Sequence, residues 1–176
     1  MTDVQFTAEF WDERYQSAER VWSGNPNPWL VTEAADLVPG HALDAGCGEG
    51  ADAQWLAGRG STVTAADVSE VALHRAATHT GPDLADRITW LPADLLSWVP
   101  PARTYDLVSA HFIHFPSPLR EPVFARLADA VRPGGTLLIV GHHPMDLTAA
   151  VHRPADPALY YTAEQLAAHL DPTEWT

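Results

Sequence analysis

Residues 43–50 read Leu-Asp-Ala-Gly-Cys-Gly-Glu-Gly and decide how this chain folds. The three glycines, Gly46, Gly48 and Gly50, alternate with larger residues directly after a short apolar segment. Glycine adopts backbone conformations that other residues avoid and lets the backbone approach a ligand closely. We therefore predict a strand, a tight turn that contacts a ligand, and then a helix. The glycines alone also fit the dinucleotide-binding pattern G-x-G-x-x-A, which ends at Ala51.

Strand patterns and helix patterns alternate along the rest of the chain. Short apolar or β-branched runs predict strands, and apolar residues at helical spacing predict helices. The predicted strands are 41–47, 61–67, 87–94, 105–111 and 135–142, and the predicted helices are 7–22, 29–38, 51–59, 69–79, 119–131 and a last one from Thr162 to Asp171. Strands separated by helices pair in parallel, with helices on both faces of the sheet. We therefore predict an α/β fold with a doubly wound, mostly parallel sheet, in which residues 1–39 form a helical cap on a core of residues 40–176.

Three acidic residues stand at or near the carboxyl ends of the first three predicted strands. Asp44 precedes the first glycine by two residues and would lie beneath the turn. Asp67 ends the second strand, where a carboxylate suits two ribose hydroxyls, and Asp94 ends the third, where it and the apolar Leu95 suit an adenine ring. Because parallel sheets bind ligands at the carboxyl ends of their strands, we expect these acids to meet in one crevice. Asp44 disfavours a pyrophosphate at the turn, because the two negative charges would repel each other.

Taken in order along the chain, these motifs resemble the class I S-adenosylmethionine-dependent methyltransferases. The resemblance covers residues 40–170 and rests on D-x-G-x-G-x-G at 44–50, the acids that end the next two strands, Tyr-Asp-Leu-Val at 105–108 and Arg-Pro-Gly-Gly at 132–135. It implies a Rossmann-like fold, S-adenosylmethionine as cofactor and methyl transfer as the activity. That family's fold has seven strands and ends in an antiparallel hairpin, whereas five strands are visible here, so we expect the hairpin to be missing or truncated.

The resemblance also implies which residues hold the cofactor. They are Asp44, Gly46, Gly48 and Gly50 around the methionine portion, Asp67 with Val68 at the ribose, Asp94 and Leu95 at the adenine, and His111 beside the methyl group.

Two N-terminal segments further resemble the branch that contains thiopurine- and tellurite-type methyltransferases. They are Phe-Trp-Asp-Glu-Arg-Tyr at 10–15 and Val-Trp-Ser-Gly-Asn-Pro-Asn at 21–27. In that branch an N-terminal helix and an aromatic loop close over the cofactor. Arg14 is expected to pair with the methionine carboxylate, with a solvated salt bridge as the alternative. Trp22 is expected either in the core or near the sulfonium, which aromatic rings attract.

Four histidines fall at or just after the carboxyl ends of the fourth and fifth predicted strands, where an acceptor would bind. Among them, His111, His114 and His143 are the candidate catalytic residues, because imidazole exchanges protons near neutral pH. Ordinary loop histidines are the alternative for these three and for His142. A metal site is disfavoured, because no helix fixes the spacing of His111 and His114; we predict none.

Composition restricts the partners of this chain. The 176 residues include 23 acidic and 10 basic ones, for a formal net charge of −13. Such a charge repels nucleic acids and anionic membrane surfaces, so we predict neither as a partner. A single cysteine excludes an intramolecular disulfide and indicates a reducing compartment. With no targeting or membrane-spanning pattern, we predict a cytoplasmic protein.

We therefore predict methyl transfer from S-adenosylmethionine to a small molecule through a sulfur, oxygen, nitrogen or chalcogen nucleophile. A chain of this length leaves no room for a separate substrate domain. The alternatives are a nicotinamide-dependent oxidoreductase and a non-catalytic cofactor-binding module. The sequence does not predict the oligomeric state.

Overall fold

A five-stranded parallel sheet forms the centre of the molecule. The computed structural model describes residues 6–148 and 156–176. The strands are β1 His41–Ala45, β2 Thr62–Asp67, β3 Ile88–Pro92, β4 Tyr105–His111 and β5 Val131–Val140. Their order is β3-β2-β1-β4-β5, and every neighbouring pair is parallel. The predicted fold class is confirmed, and the described residues contain no antiparallel hairpin.

Helices flank the sheet on both faces. They are α1 Ala8–Gln16, α2 Pro28–Glu33, α3 Ala51–Gly58, α4 Glu70–His79, α5 Pro82–Ala85, α6 Arg120–Ala130 and α7 Ala163–Ala167, with 3-10 turns at Pro144–Thr148 and Pro157–Leu159. The Ser69 hydroxyl accepts the Ala72 amide at 3.1 Å and caps α4. Thr162 and Gln165 form a capping box at α7. None of the helices in the described residues is long and apolar enough to cross a membrane.

The core lies on both faces of the sheet, because successive strand residues point to opposite sides. One face packs Ala42, Val63 and Leu107 against Leu30 of α2 and Leu56 of α3. The opposite face packs Leu43, Val108 and Ala110 against Phe124 and Leu127 of α6. A sheet covered on both faces explains why its strands read as continuous apolar runs in the sequence.

The strand order reverses between β1 and β4, which lie side by side although two strands separate them in the chain. In doubly wound sheets this reversal opens a crevice at the carboxyl ends of the two strands. The glycine turn leaves β1 at this point, and β4 ends there at His111. The fold therefore places the predicted ligand-binding turn at the crevice.

The first helix is shorter than predicted and ends at Gln16 rather than at residue 22. The Ser17 hydroxyl donates to the Arg14 carbonyl at 2.6 Å and closes the last turn. Trp22 is therefore outside the helix, and 47% of its surface is exposed. The helix is held against the start of α4 by Asp12, whose carboxylate accepts the Ser69 hydroxyl at 2.5 Å.

The end of β3 and the start of β5 also differ from the prediction. Strand β3 ends at Pro92, two residues before Asp94, which instead begins a turn in which its carbonyl accepts the Trp98 amide at 2.7 Å. Strand β5 begins at Val131 rather than at residue 135, so the Arg-Pro-Gly-Gly motif at 132–135 is a bulge within the strand. The Arg132 guanidinium pairs with Asp106 of β4 across this bulge.

Candidate functional site

The glycine turn after β1 has a backbone that only glycine adopts easily. Gly46, Gly48 and Gly50 have φ values of 73°, 51° and 80°. The Gly46 amide donates to the Ala66 carbonyl at 2.8 Å, which fastens the turn to the end of β2. A Cβ on Gly48 would lie 2.8 Å from the Tyr15 hydroxyl oxygen. The turn is therefore tightly enclosed, and a side chain at position 48 would collide with Tyr15.

Asp67, the predicted ribose ligand, is built into the same turn. The carboxylate is 8% exposed, and it accepts the Gly48 amide at 2.8 Å and the Ser69 amide at 2.9 Å. Burial raises its pKa, although these amide bonds act in the opposite direction. A carboxylate has about four lone-pair sites, so acceptor capacity remains for further donors. The neighbouring Val68 is half-buried.

Asp44 lies beneath the turn and is 2% exposed. Its Oδ2 atom has no hydrogen-bond partner among the described residues. Burial raises the pKa of Asp44 well above its usual range, and the carboxylates of Asp52 and Asp67 raise it further. Because buried polar atoms are nearly always paired, this oxygen is suited to a cationic donor supplied by a ligand.

Asp94 and Leu95, the predicted adenine contacts, follow β3. Asp94 is exposed, and its Oδ1 accepts the Leu96 amide at 2.9 Å. Leu95 is 8% exposed and packs in the same apolar cluster as Ala66. The structure thus places one residue in a surface turn and the other in the core beside the end of β2.

The N-terminal segment is fastened directly to the glycine turn. The Trp22 indole N–H donates to the Tyr15 hydroxyl at 2.9 Å. The Glu49 carboxylate accepts the amides of Val21 and Trp22 at 3.1 and 3.0 Å. It also pairs with Arg75 of α4 at 3.3 Å. This segment therefore lies over the glycine turn.

Arg14, the predicted partner of a methionine carboxylate, is exposed on α1. Its guanidinium lies over the rings of Trp22 and Trp11, 5.4 and 5.9 Å from their centroids. These stacking contacts hold the arginine beside the covering segment.

His111 ends β4, and its side chain is 6% exposed. Its Nδ1 lies 2.7 Å from Oδ2 of Asp52, while its Nε2 is buried without a partner among the described residues. The other Asp52 oxygen accepts the Asn27 amide at 2.6 Å. A single carboxylate thus joins the N-terminal segment to this histidine.

The other candidate histidines have different partners. His114 stacks on His142 with ring centroids 4.9 Å apart and planes at 12°. Burial and His142 lower the pKa of His114 to about 4. His143 is exposed, and its Nδ1 accepts the Met145 amide at 3.2 Å. No group of three or more His, Cys, Asp or Glu side chains in 6–148 and 156–176 could hold a metal ion.

Sequence patterns did not single out two functional candidates, Glu49 and Asp52. Glu49 binds the amide of Val21, 28 residues away, and Asp52 binds His111, 59 residues away. Acidic residues in a glycine turn and in the first turn of the following helix were the only local signal. Their partners are set by the docking of the N-terminal segment, which no local pattern encodes.

Comparison with known proteins assigns the family. Residues 42–135 match a family of methyltransferase domains. The chain belongs to this family. The matched region begins in β1 and ends in the bulge of β5, so it contains the glycine turn, Asp67, Asp94 and His111.

Relatives and a solved structure agree with this assignment. Trans-aconitate 2-methyltransferase of Rhizobium meliloti (strain 1021) is 34% identical over 134 residues, which are 75% of this chain and 46% of the relative. Methyltransferase GfsG of Streptomyces halstedii is 37% identical over 112 residues, 61% of this chain and 40% of the relative. The structure of a DhpI–SAH complex superposes with a TM-score of 0.69 at 22% identity, covering 94% of this chain and 86% of that chain, and shows the shared fold. The chain spans less than half the length of either relative.

Proposed function

We propose that this chain transfers a methyl group from S-adenosylmethionine to a small-molecule acceptor. The observation that carries the proposal is the unpartnered Asp44 oxygen beneath the glycine turn, with Asp67 bonded to that turn. Membership of a methyltransferase domain family supports it.

The residues present fit this cofactor. The Asp44 oxygen suits the α-ammonium, and the remaining lone pairs of Asp67 suit the ribose hydroxyls. The predicted contacts of Val68, Asp94 and Leu95 with the adenosine portion and of Arg14 with the methionine carboxylate belong to the same proposal. When bound, the cofactor supplies an electrophilic methyl group, whose carbon–sulfur electron pair stays on sulfur as the acceptor's lone pair bonds to carbon.

The chain's own contribution is positioning and the exclusion of water. Tyr15 and Trp22 lie over the glycine turn, and Glu49 fastens their segment there. The aromatic face of Trp22 also suits a nearby positive charge. These contacts favour a covering segment that orders the bound cofactor.

The acceptor in this proposal is a small molecule. A formal net charge of −13 disfavours nucleic acids and anionic membranes. The acceptor atom stays open among sulfur, oxygen, nitrogen and chalcogen nucleophiles. An ionised thiol needs no proton acceptor, whereas a hydroxyl or amine does, and His111, His114 and His143 are the candidates for that role.

The proposal also includes the domain division and the cellular compartment predicted from the sequence. Residues 1–39 act as a cap over a cofactor-binding core of residues 40–176. The single cysteine fits a reducing, cytoplasmic compartment.

Two alternatives make different predictions. A nicotinamide-dependent oxidoreductase would place a pyrophosphate at the turn, where buried Asp44 would repel it. A non-catalytic module would bind the cofactor without turnover.

Thermal-shift measurements with S-adenosylhomocysteine and, separately, with NAD test the proposal. We expect S-adenosylhomocysteine to raise the melting temperature and NAD to leave it unchanged. A methyl-transfer assay with thiols, phenols, amines and carboxylates should then identify an acceptor class. Stabilisation by NAD alone would contradict the proposal, and binding without transfer to any acceptor would favour the non-catalytic module.

A further inference from the structure

We propose that Asp52 is a positioning residue that holds His111 in the tautomer whose Nε2 accepts a proton from the methyl acceptor. The inference rests on the proposed function and adds a residue and a proton route to it.

The hydrogen bonds of Asp52 fix the tautomer. An ionised carboxylate only accepts hydrogen bonds, so the 2.7 Å contact requires the proton of neutral His111 to be on Nδ1. The Asp52 carboxylate cannot rotate freely, because its other oxygen accepts the backbone amide of Asn27 at 2.6 Å. Nε2 of His111 therefore carries a free lone pair.

The His111 side chain lies on the same face of the sheet as Asp44, a proposed cofactor ligand. Asp44 of β1 is in register with Ser109 of β4, so His111, two residues further on, points to the same face as Asp44. Nε2 of His111 and Oδ2 of Asp44 are both buried and unpartnered among the described residues. We assign the Asp44 oxygen to the cofactor's ammonium and the His111 nitrogen to the acceptor.

Methyl transfer to an oxygen or nitrogen acceptor also moves a proton. As the acceptor's lone pair bonds to the methyl carbon, the carbon–sulfur electron pair stays on sulfur and the proton on the acceptor's oxygen or nitrogen moves to Nε2 of His111. The imidazole becomes an imidazolium, and the Asp52 carboxylate stabilises its positive charge. The proton then passes to solvent when product leaves.

The structure makes Asp52→Asn a discriminating change. The Asn27 amide is a donor, so an asparagine at position 52 must direct its carbonyl oxygen toward that amide. Its NH2 group then faces Nδ1 of His111, which must accept a hydrogen bond from it. The ring proton of His111 therefore moves from Nδ1 to Nε2, and Nε2 no longer has a lone pair to receive the acceptor's proton.

Long-range 1H–15N NMR of the histidine rings in the full chain tests this directly, with His111→Gln identifying the signals. We expect wild type to carry the proton on Nδ1 and Asp52→Asn to carry it on Nε2. Adding Asn27→Pro should return it to Nδ1, because the φ of −60° at Asn27 suits proline and the substitution removes the competing amide. Adding Asn27→Ala, which keeps the amide, should leave the proton on Nε2.

Calorimetry and turnover complete the test. Asp52→Asn should bind S-adenosylhomocysteine as wild type does, while methyl transfer to a hydroxyl or amine acceptor falls by about 10²-fold or more. A wild-type His111 protonated on Nε2, an unchanged tautomer in Asp52→Asn, or a loss of S-adenosylhomocysteine affinity in that variant would overturn the inference. If wild type does not bind S-adenosylhomocysteine at all, the proposed function fails, and the tautomer result still decides the role of Asp52.

Discussion

At the scale of single residues, Asp44 shows how a carboxyl can weaken the fold and serve binding. It is 2% exposed, and one of its oxygens has no partner among the described residues. Burial and the neighbouring carboxylates raise its pKa. Ionised Asp44 therefore costs folding free energy until a cation reaches it.

Asp44→Asn should separate these two effects. Below the usual Asp pKa, position 44 is neutral in the folded and the unfolded chain, so variant and wild type should be equally stable. As pH rises through the raised folded pKa, wild type loses stability that the variant keeps, about 1.4 kcal/mol for each pKa unit between the two states. Denaturant unfolding at acidic and neutral pH measures this difference. Calorimetry should show S-adenosylhomocysteine binding weakened by about 1–3 kcal/mol; equal affinity would contradict the ammonium assignment.

Gly48→Ala tests whether the turn requires glycine. With φ at 51° and a Cβ position 2.8 Å from the Tyr15 hydroxyl, alanine should cost about 1–3 kcal/mol of unfolding free energy. Gly58→Ala is the matched control, because no atom beyond its chain neighbours and its own helix backbone lies within 4 Å of its Cβ position. The control should leave stability unchanged or raise it by about 0.5–1 kcal/mol. Equal effects at the two positions would show that the turn is not strained against substitution.

The lowered pKa of His114 predicts that the folded protein loses stability in mild acid. Its folded pKa of about 4 lies below the ordinary value of 6.5, so the unfolded chain binds a proton that the folded chain does not. Stability should therefore fall as pH decreases from about 6.5 to about 4. His114→Asn should flatten this fall by about 1–2 kcal/mol in unfolding experiments, after allowance for partial exposure. The exposed His79→Asn is the control, and parallel profiles for His114→Asn and wild type would refute the prediction.

Local sequence could place Asp44 and Asp67 at strand ends beside the glycine turn, because Asp44 precedes the first glycine by two residues and Asp67 ends a β-branched, apolar run. It could not predict Glu49 and Asp52, whose partners belong to a segment docked from elsewhere. His111 was predicted from its place at a strand end, but its pairing with Asp52 was not.

At the scale of elements, the segment between α1 and α2 is the part that differs most from expectation. The helical stripe through Tyr15 and Trp22 predicted one helix to residue 22, yet α1 ends at Gln16. The two side chains still meet, through a hydrogen bond rather than along a helix face. The bulge at 132–135 is a similar case, because a turn motif lies within a strand and local pattern does not distinguish the two.

Glu49→Ala should release this segment without unfolding the core. It removes the acceptor for the Val21 and Trp22 amides, so hydrogen exchange at both should accelerate. We expect S-adenosylhomocysteine affinity to fall by about 1 kcal/mol, because the covering segment must then be ordered on binding. Glu70→Ala, at an exposed acid in the first turn of α4, is the control. Unchanged exchange at Val21 and Trp22 would show that Glu49 does not hold the segment.

At the scale of the whole molecule, the alternation of strand and helix patterns predicted the parallel sheet, and the observed strand order shows where its crevice opens.

The composition of the whole chain predicts which partners it avoids. With 23 acidic and 10 basic residues, the chain should not bind nucleic acid. Fluorescence anisotropy with labelled DNA and RNA at about 50 mM salt should show no binding. Binding that weakens steeply with added salt would reveal a basic groove and contradict this expectation.

The most direct test of the account is the crystal structure of the chain with S-adenosylhomocysteine. We predict the ligand's ammonium at Asp44, its ribose hydroxyls at Asp67 and its backbone contacts at the glycine turn, with Nε2 of His111 on the side of the ligand's sulfur where the acceptor is proposed to bind. A ligand seated elsewhere, or one that leaves Asp44 and Asp67 without contact, would contradict the account.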